Sequence, residues 1–373
     1  MRISSTVSIA LAIALSGCML PRPVSTPDYA KSCPLDSSEP SENSLPFLTF
    51  RLPDCRDYPR IVMSWHRDGD ATYGAFTDGR TAFHTKAAWI AAVRAQLTAA
   101  ANAGRPAVIF IHGYNTGQAK ALERAEAIRT AVQRDRPVLA ITWPSYASGT
   151  KYFWDEANSD WSSAQVRSVL EQLIGDTPVI LVAHSMGSRI ALDTARFLRR
   201  ADGSTPVQKL VLAAPDVDRA AFVTEVHGAR RLAKALTIYG SREDQALSGS
   251  WRLHGYARLG DLSRWVVGDD PEYAHLRDIE GVSVVDTTDV SEDFWAHAAF
   301  IETYEGAADL CRVIRGLPIE PWRRRADEKA NNIWALVPRP KKSDECSRPG
   351  YDAALQLRRK PLRATENGGR GKD

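Results

Sequence analysis

The chain has 373 residues, of which 44% are hydrophobic and 25% are charged, as in an ordinary soluble globular protein. This length is enough to bury a large core, either in two domains or in one elaborated domain. The formal net charge of +3 is too small to indicate nucleic-acid binding, and no aromatic–basic array supports that function. We therefore expect no nucleic-acid partner.

A short apolar segment follows the amino terminus. Arg2 precedes an apolar run from Val7 to Leu15, which is too short to span a bilayer. The run ends in Leu15-Ser16-Gly17-Cys18, which resembles a bacterial lipobox. We predict a lipoprotein signal peptide at residues 1–17 and lipidation of Cys18, which would anchor the protein in a bacterial cell envelope, facing the periplasm or the exterior. An ordinary signal peptide with a chance cysteine is the alternative.

Four further cysteines remain in the sequence: Cys33, Cys55, Cys311 and Cys346. An exported chain meets an oxidising compartment, so an even number of cysteines predicts disulfides. Three pairings are possible, and the local one joins Cys33 to Cys55 and Cys311 to Cys346. The spacing fits no zinc or redox motif, so we predict no metal and no other cofactor.

Composition divides the chain into three parts after the signal peptide. Residues 18–46 are rich in proline, serine and charge, which predicts a flexible linker. Residues 47–337 hold the alternating apolar segments of a folded domain. Residues 338–373 are again proline-rich and basic, which favours a solvated tail over a surface that contacts anions.

The segments between residues 47 and 337 alternate between strand and helix patterns. Predicted helices are Lys86–Ala101, Gln118–Arg134, Ser163–Ile174, Met186–Arg199 and Phe300–Val313. Predicted strands are Phe47–Leu52, Ile61–Trp65, Thr72–Phe76, Ala107–His112, Val138–Trp143, Pro178–Ala183, Val207–Ala213, Ala235–Tyr239 and Val282–Val285. Continuous apolar strands that alternate with helices indicate an α/β fold, in which helices cover both faces of a mostly parallel sheet.

The strand that ends at Ala183 runs directly into His184-Ser185-Met186-Gly187, and a helix follows. This context is typical of a nucleophile elbow, in which a sharp turn exposes a serine hydroxyl and requires small residues two positions before and after it. Those residues here are Ala183, where the motif usually has glycine, and Gly187. We predict Ser185 as a nucleophile; the alternative is a buried serine in a tight turn.

Two backbone N–H groups are candidates for an oxyanion hole. Met186 follows the predicted nucleophile at the start of a helix. Tyr114 follows His112-Gly113, where another buried strand ends and glycine allows close approach of the backbone. His112 itself is expected to order this loop rather than to act as a base.

An acid and a histidine are expected after the nucleophile, in that order. Asp244 follows the strand that ends at Tyr239, and Asp216 follows the preceding strand; we favour Asp244 and keep Asp216 as the alternative acid, with Glu243 as a weaker neighbour of Asp244. His297 follows the last predicted strand and is the favoured base. The other candidate bases are His254 and His275.

Residues 248–281 form a long segment between the acid and the last strand. It contains several large apolar residues and could cover the site as a cap. An ordinary surface excursion is an equally good interpretation.

The motifs resemble, in their order, a family of largely uncharacterised bacterial α/β-hydrolases. The resemblance covers residues 60–315 and rests on these segments: His112-Gly113-Tyr114-Asn115, Trp143-Pro144-Ser145, Ala183-His184-Ser185-Met186-Gly187, Ala214-Pro215-Asp216, Asp244-Gln245-Ala246-Leu247, Leu253-His254-Gly255, Arg258-Leu259-Gly260 and Trp295-Ala296-His297. It implies the α/β-hydrolase fold and a triad of Ser185, Asp244 and His297, but no particular substrate.

These patterns together predict a serine hydrolase that cleaves a small-molecule or lipid carboxylic ester through an acyl-enzyme. An acyltransferase would use the same triad. A membrane-tethered binding or envelope protein that keeps the fold without turnover is the alternative from another class.

Overall fold

The structure is a computed structural model of the whole chain. It describes residues 33–58, 61–226, 232–264, 279–319, 322–327, 330–338 and 344–358. The predicted signal peptide, Cys18 and the first part of the predicted linker lie outside the described residues. So do residues 265–278 of the predicted cap, which include His275.

Eleven strands of the described residues form one sheet, in the order β10-β11-β9-β8-β7-β6-β4-β5-β1-β2-β3. The seven pairings from β11 to β1 are parallel, and the pairings at both ends of the sheet are antiparallel. The strands are β1 Leu45–Asp54, β2 Val62–Thr77, β3 Arg80–His84, β4 Ala107–Ile111, β5 Val138–Thr142, β6 Val179–His184, β7 Val207–Ala213, β8 Ala235–Gly240, β9 Val282–Asp286, β10 Arg323–Arg325 and β11 Ile333–Leu336.

Nine α-helices lie between and after these strands in the described residues. They are α1 Lys86–Asn102, α2 Gln118–Ala131, α3 Tyr152–Ile174, α4 Gly187–Phe197, α5 Arg219–Val226, α6 Gln245–His254, α7 Ala299–Glu302, α8 Tyr304–Arg315 and α9 Ser347–Arg358. Within the part of the chain that the structure describes, no helix is long and apolar enough to cross a membrane.

Two apolar cores lie on opposite faces of the sheet. Alternate residues of β4 enter different cores: Ile109 and Ile111 pack with α1, α3 and α4, whereas Val108 and Phe110 pack with α2, α7, α8 and α9. The alternation follows from the two-residue period of side chains along a strand. It explains why the central strands are apolar throughout.

The chain order reverses at β4. The connection from β4 through α2 leads to β5 on one side, and the connection through α3 then crosses to β6 on the other side of β4. Connections that diverge in this way leave a crevice at the carboxyl ends of the strands. The loops after β4 and β6 therefore meet at this edge of the sheet.

The body is larger than the predicted domain of residues 47–337. From Cys33 onward the predicted linker is attached to it, because Cys33 is bonded to Cys55 and Asp36 pairs with His84. The predicted tail contains α9, which packs against α2 and α8 and is joined to α8 by the disulfide Cys311–Cys346. Both disulfides are the local pairing that the sequence offered. The packing of α9 is long-range, so the proline-rich and basic composition of the tail gave no signal for it.

The structure differs locally from the sequence prediction in strands β2 and β3 and in helices α3 and α6. The two predicted strands at residues 61–65 and 72–76 form one long strand, β2, and β3 was not predicted. Helix α3 begins at Tyr152 rather than Ser163, and α6 occupies residues where no helix was predicted. The first turns of α3 carry polar residues that bind neighbouring loops, so they lack the apolar period of its second half.

Candidate active site

Ser185 lies at the tip of the turn between β6 and α4. Its φ is +52°, in the left-handed region that L-residues rarely adopt, and its N–H donates to the carbonyl of Ala213 on β7. Gly187 begins α4 so close to β4 that a Cβ there would lie 2.2 Å from the carbonyl oxygen of His112. The sharp turn and the absence of a side chain at Gly187 are the features expected of a nucleophile elbow.

The sheet register brings the two predicted loops together. Ile111 of β4 pairs with Ala183 of β6, so Gly113 comes to lie against the turn at Ser185. A Cβ on Gly113 would lie only 2.8 Å from the Cβ of Ser185. The backbone at Gly113 therefore lies so close to Ser185 that a side chain there would collide with it, and the next N–H is that of Tyr114.

Met186, the other predicted donor, is the N-cap residue of α4. Backbone N–H groups at a helix start have no partner within the helix and carry the positive end of its dipole. Met186 is fully buried. The structure thus places the two predicted donor residues on the two loops that meet at Ser185.

The loop after Gly113 is held by a buried carboxylate, which the sequence did not indicate. Asp155, in the first turn of α3, accepts hydrogen bonds from the N–H of Asn115 at 3.2 Å, the N–H of Tyr146 at 2.6 Å and the hydroxyl of Ser145. Burial raises the pKa of Asp155, and these hydrogen bonds oppose the rise. Because it accepts from both loops, Asp155 fixes the loop of Tyr114 relative to the end of β5.

His112 is a structural residue, as predicted. Its ring is stacked on Trp143; Nδ1 lies 2.8 Å from the carbonyl oxygen of Gly113, and Nε2 accepts from the N–H of Trp143 at 3.1 Å. Burial lowers its pKa to about 3. A neutral ring with both nitrogens engaged cannot exchange a proton with substrate.

Asp244 and His297 meet, although 53 residues separate them. Nδ1 of His297 lies 2.7 Å from Oδ2 of Asp244. The other carboxylate oxygen, Oδ1, accepts from the N–H of Leu247 at 2.8 Å and caps α6. Asp244 is only 1% exposed, so its two oxygens are directed by fixed contacts rather than by solvent.

The pKa of His297 lies above its ordinary value. Burial alone would lower it, but the negative charge of Asp244 and its hydrogen bond to Nδ1 outweigh burial. Asp216 raises the pKa further, whereas Arg124 opposes the rise. The charged form of the His297 ring is therefore stabilised by Asp244.

Asp216, the alternative acid, is engaged elsewhere. Its carboxylate accepts from the hydroxyls of Tyr152 and Ser250, the latter at 2.6 Å, and Oδ1 lies 3.1 Å from Nε of Arg258. Its own N–H donates to the carbonyl of Ser185 at 3.2 Å. Asp216 thus contacts the turn at Ser185 through its main chain, while its carboxylate is occupied by Tyr152, Ser250 and Arg258.

The remaining candidates occupy other positions. Glu243 is exposed, and His254 bonds to Glu156 at 3.1 Å and to the carbonyl of Ser250 at 2.9 Å. Within the described residues, no cluster of His, Cys, Asp or Glu has the arrangement of a metal site.

The fold and this edge of the sheet define an α/β-hydrolase. A family model described as "Alpha/beta hydrolase of unknown function (DUF900)" matches residues 89–312, which is more than half of the chain. The chain belongs to this family. The match confirms both the fold class and the family resemblance that the sequence predicted.

Several solved structures are similar to this chain at low identity. They include a proposed cell surface hydrolase from Lactobacillus plantarum WCFS1 (12% identity, TM-score 0.35, covering 57% of this chain and 92% of that one). Esterase B from Lactobacillus rhamnosis HN001 is 13% identical (TM-score 0.28, 64% and 84%). A Trichoderma reesei cutinase in complex with a phosphonate inhibitor is 21% identical (TM-score 0.22, 35% and 65%). A search of functionally curated proteins found no match.

Proposed function

We propose that this protein is a serine hydrolase that cleaves a carboxylic ester through an acyl-enzyme on Ser185. The observation that carries the proposal is the pairing of His297 Nδ1 with Asp244 at 2.7 Å, at the same sheet edge as a serine with φ of +52°. Ser185 follows β6, Asp244 follows β8 and His297 follows β9. The contact between Asp244 and His297 depends on the fold and not on local sequence.

In the proposed reaction, the hydroxyl of Ser185 attacks the ester carbonyl and its proton passes to Nε2 of His297. Asp244 keeps the remaining ring proton on Nδ1 and stabilises the imidazolium. The N–H groups of Tyr114 and Met186 stabilise the oxyanion. His297 then protonates the leaving alcohol. In the second half of the reaction, His297 takes a proton from water as the water attacks the acyl-enzyme, and it returns that proton to Ser185 as the acid is released.

Labelling with a fluorophosphonate tests the nucleophile directly. We expect the wild type to react covalently at Ser185 and to hydrolyse p-nitrophenyl esters in a screen of acyl-chain lengths. Ser185→Ala should abolish both, since loss of a triad nucleophile costs about six orders of magnitude in turnover. Ser188→Ala, which removes a buried hydroxyl at the second residue of α4, is the matched control and should keep both.

Two results would contradict the proposal. A wild type that neither labels nor turns over any ester would favour a fold kept without catalysis. Retained turnover in Ser185→Ala would assign the nucleophile elsewhere. Faster consumption of ester when an alcohol is added, with formation of a new ester, would instead identify an acyltransferase.

We further propose that the protein is exported and is anchored to a bacterial envelope membrane through lipidated Cys18, with a small-molecule or lipid ester as substrate. The Leu15-Ser16-Gly17-Cys18 pattern supports the anchor, and the disulfides Cys33–Cys55 and Cys311–Cys346 support an oxidising compartment. Intact-mass analysis of the mature protein from the membrane fraction tests this. An unmodified mature amino terminus would contradict it.

A further inference from the structure

We propose that His184 is a positioning residue that holds the loop of His297 and the loop of Tyr114 in place on either side of Ser185. This inference rests on the proposed function, because it concerns the same triad. His184 is the last residue of β6 and immediately precedes Ser185, yet no step of the reaction uses its ring.

On one side, His184 contacts the histidine of the proposed triad. Its Nε2 lies 3.0 Å from the carbonyl oxygen of His297, and the two ring centroids are 4.8 Å apart. The His184 ring is also stacked on Phe300, with the ring centroids 5.3 Å apart. The bond from His184 therefore holds the main chain of His297. It thereby sets the position from which the His297 side chain extends to Asp244.

On the other side, His184 contacts the loop after β4. A Cβ on Gly113 would lie 2.9 Å from Nδ1 of His184 and 2.9 Å from its carbonyl oxygen. Nδ1 itself is buried and has no hydrogen-bond partner among the described residues. This face of the ring thus packs against the backbone that leads to Tyr114.

The tautomer of His184 follows from these contacts. Burial holds its pKa well below the ordinary value, and the positive charges of Arg124, His297 and Lys120 lower it further. The neutral ring has one proton, and the His297 carbonyl can only accept a hydrogen bond. The proton is therefore on Nε2, which leaves Nδ1 bare where Gly113 approaches.

Loss of this bond would act on His297. Among the described residues, four charged or titratable groups act on or contact the His297 ring: Asp244 at the start of α6, Asp216 after β7, Arg124 on α2 and His184 itself. Asp244 makes the largest contribution that raises the pKa. A loosened loop would lengthen the bond from Nδ1 to Asp244, so the pKa of His297 would fall.

The experiment compares His184→Asn with His184→Gln. Both side chains carry an amide, but the Asn nitrogen stands near the position of Nδ1, whereas the longer Gln side chain can place its N–H near that of Nε2. We expect His184→Asn to lower kcat about 10²-fold with KM little changed, as for a small misplacement of a catalytic group. His184→Gln should recover most of this loss.

The acid limb of the kcat/KM profile provides a readout that ordinary packing would not move. It should shift to lower pH in His184→Asn and return toward the wild-type position in His184→Gln. Equal kcat and equal acid limbs in Asn, Gln and wild type would overturn the inference. An equal loss of kcat in both variants would also overturn it, because the longer Gln side chain would then restore nothing.

NMR of the imidazole nitrogens tests the contact without any substitution. We expect ¹⁵N shifts of His184 in the wild type to show a neutral ring protonated on Nε2. A proton on Nδ1, or a charged ring near neutral pH, would overturn the inference even if the variants fail to fold.

Failure of the proposed function would give a different result from failure of this inference. In that case the wild type would not react with the fluorophosphonate, whatever the tautomer of His184.

Discussion

Two buried carboxylates near Ser185 differ in what they contact. Asp244 bonds to His297, whereas Asp216 pairs with Arg258 and accepts from two hydroxyls. Because only Asp244 touches the histidine, the two should have different effects when each is replaced by its uncharged isostere.

Asp244→Asn should lower kcat by roughly four orders of magnitude, because the amide would favour the wrong imidazole tautomer. Stability should change little, since Asn also caps helices well and Asp244 caps α6. Asp216→Asn should instead lower the free energy of unfolding by about 3–5 kcal/mol, because it leaves the Arg258 charge buried without its partner.

Steady-state kinetics and urea unfolding of both variants separate these effects. A severe loss of kcat in Asp216→Asn beside a mild one in Asp244→Asn would transfer the role of acid to Asp216. Circular dichroism of each variant controls for misfolding.

The charge on His297 predicts a pH dependence. Its pKa is raised above the ordinary value of about 6.5, because Asp244 outweighs burial. The base must be neutral, so kcat/KM should fall as the pH drops through a midpoint above about 6.5 and be constant above it. Fluorophosphonate labelling rates measured against pH should follow the same curve. A midpoint well below 6.5 would contradict the raised pKa.

At the scale of elements, the register of β4 against β6 places Gly113 on Ser185. Gly113→Ala would put a Cβ 2.8 Å from the Cβ of Ser185 and 2.9 Å from the ring of His184, so the loop must shift. We expect kcat to fall by at least about 10²-fold, as when an oxyanion donor is lost.

Gly149→Ala is a suitable control for the loop change. It lies in the neighbouring loop after β5, has no positive φ, and its Cβ would meet only Asn115 Nδ2 at 3.9 Å. Its kinetics should remain close to wild type. A Gly113→Ala variant with wild-type kcat would exclude Tyr114 N–H as a required donor.

At the scale of the whole molecule, α9 extends the core on the face that carries α2 and α8. The disulfide Cys311–Cys346 closes a loop of 35 residues and holds α9 to α8. Loss of a native disulfide typically costs about 2–5 kcal/mol of unfolding free energy. We expect this loss in the double variant Cys311→Ala, Cys346→Ala, measured by urea unfolding.

The Cys33–Cys55 pair, which lies on the same face of the sheet but follows β1, gives a matched comparison. Its double alanine variant should lose stability too, by a smaller amount because the closed loop has 22 residues. Both variants should keep the acid limb of the kcat/KM profile. A change in that limb would show that one disulfide also positions His297.

The sequence by itself determined the central strands, the elbow at Ser185 and the loop at Gly113, because these features depend on local patterns: continuous apolar runs, a strand–turn–helix junction and small residues at fixed spacing. It also gave the chain order of acid and histidine. These are properties of short segments, and the structure agrees with them to within a few residues.

Only the tertiary structure decided which groups contact one another. Asp244 and Asp216 follow adjacent strands and look alike in sequence, but one faces His297 and the other faces Arg258. The roles of Asp155 and His184, and the attachment of α9, likewise depend on contacts between residues far apart in the chain. Such contacts are set by strand order and helix packing, and neither leaves a periodic signal in the residues that make them.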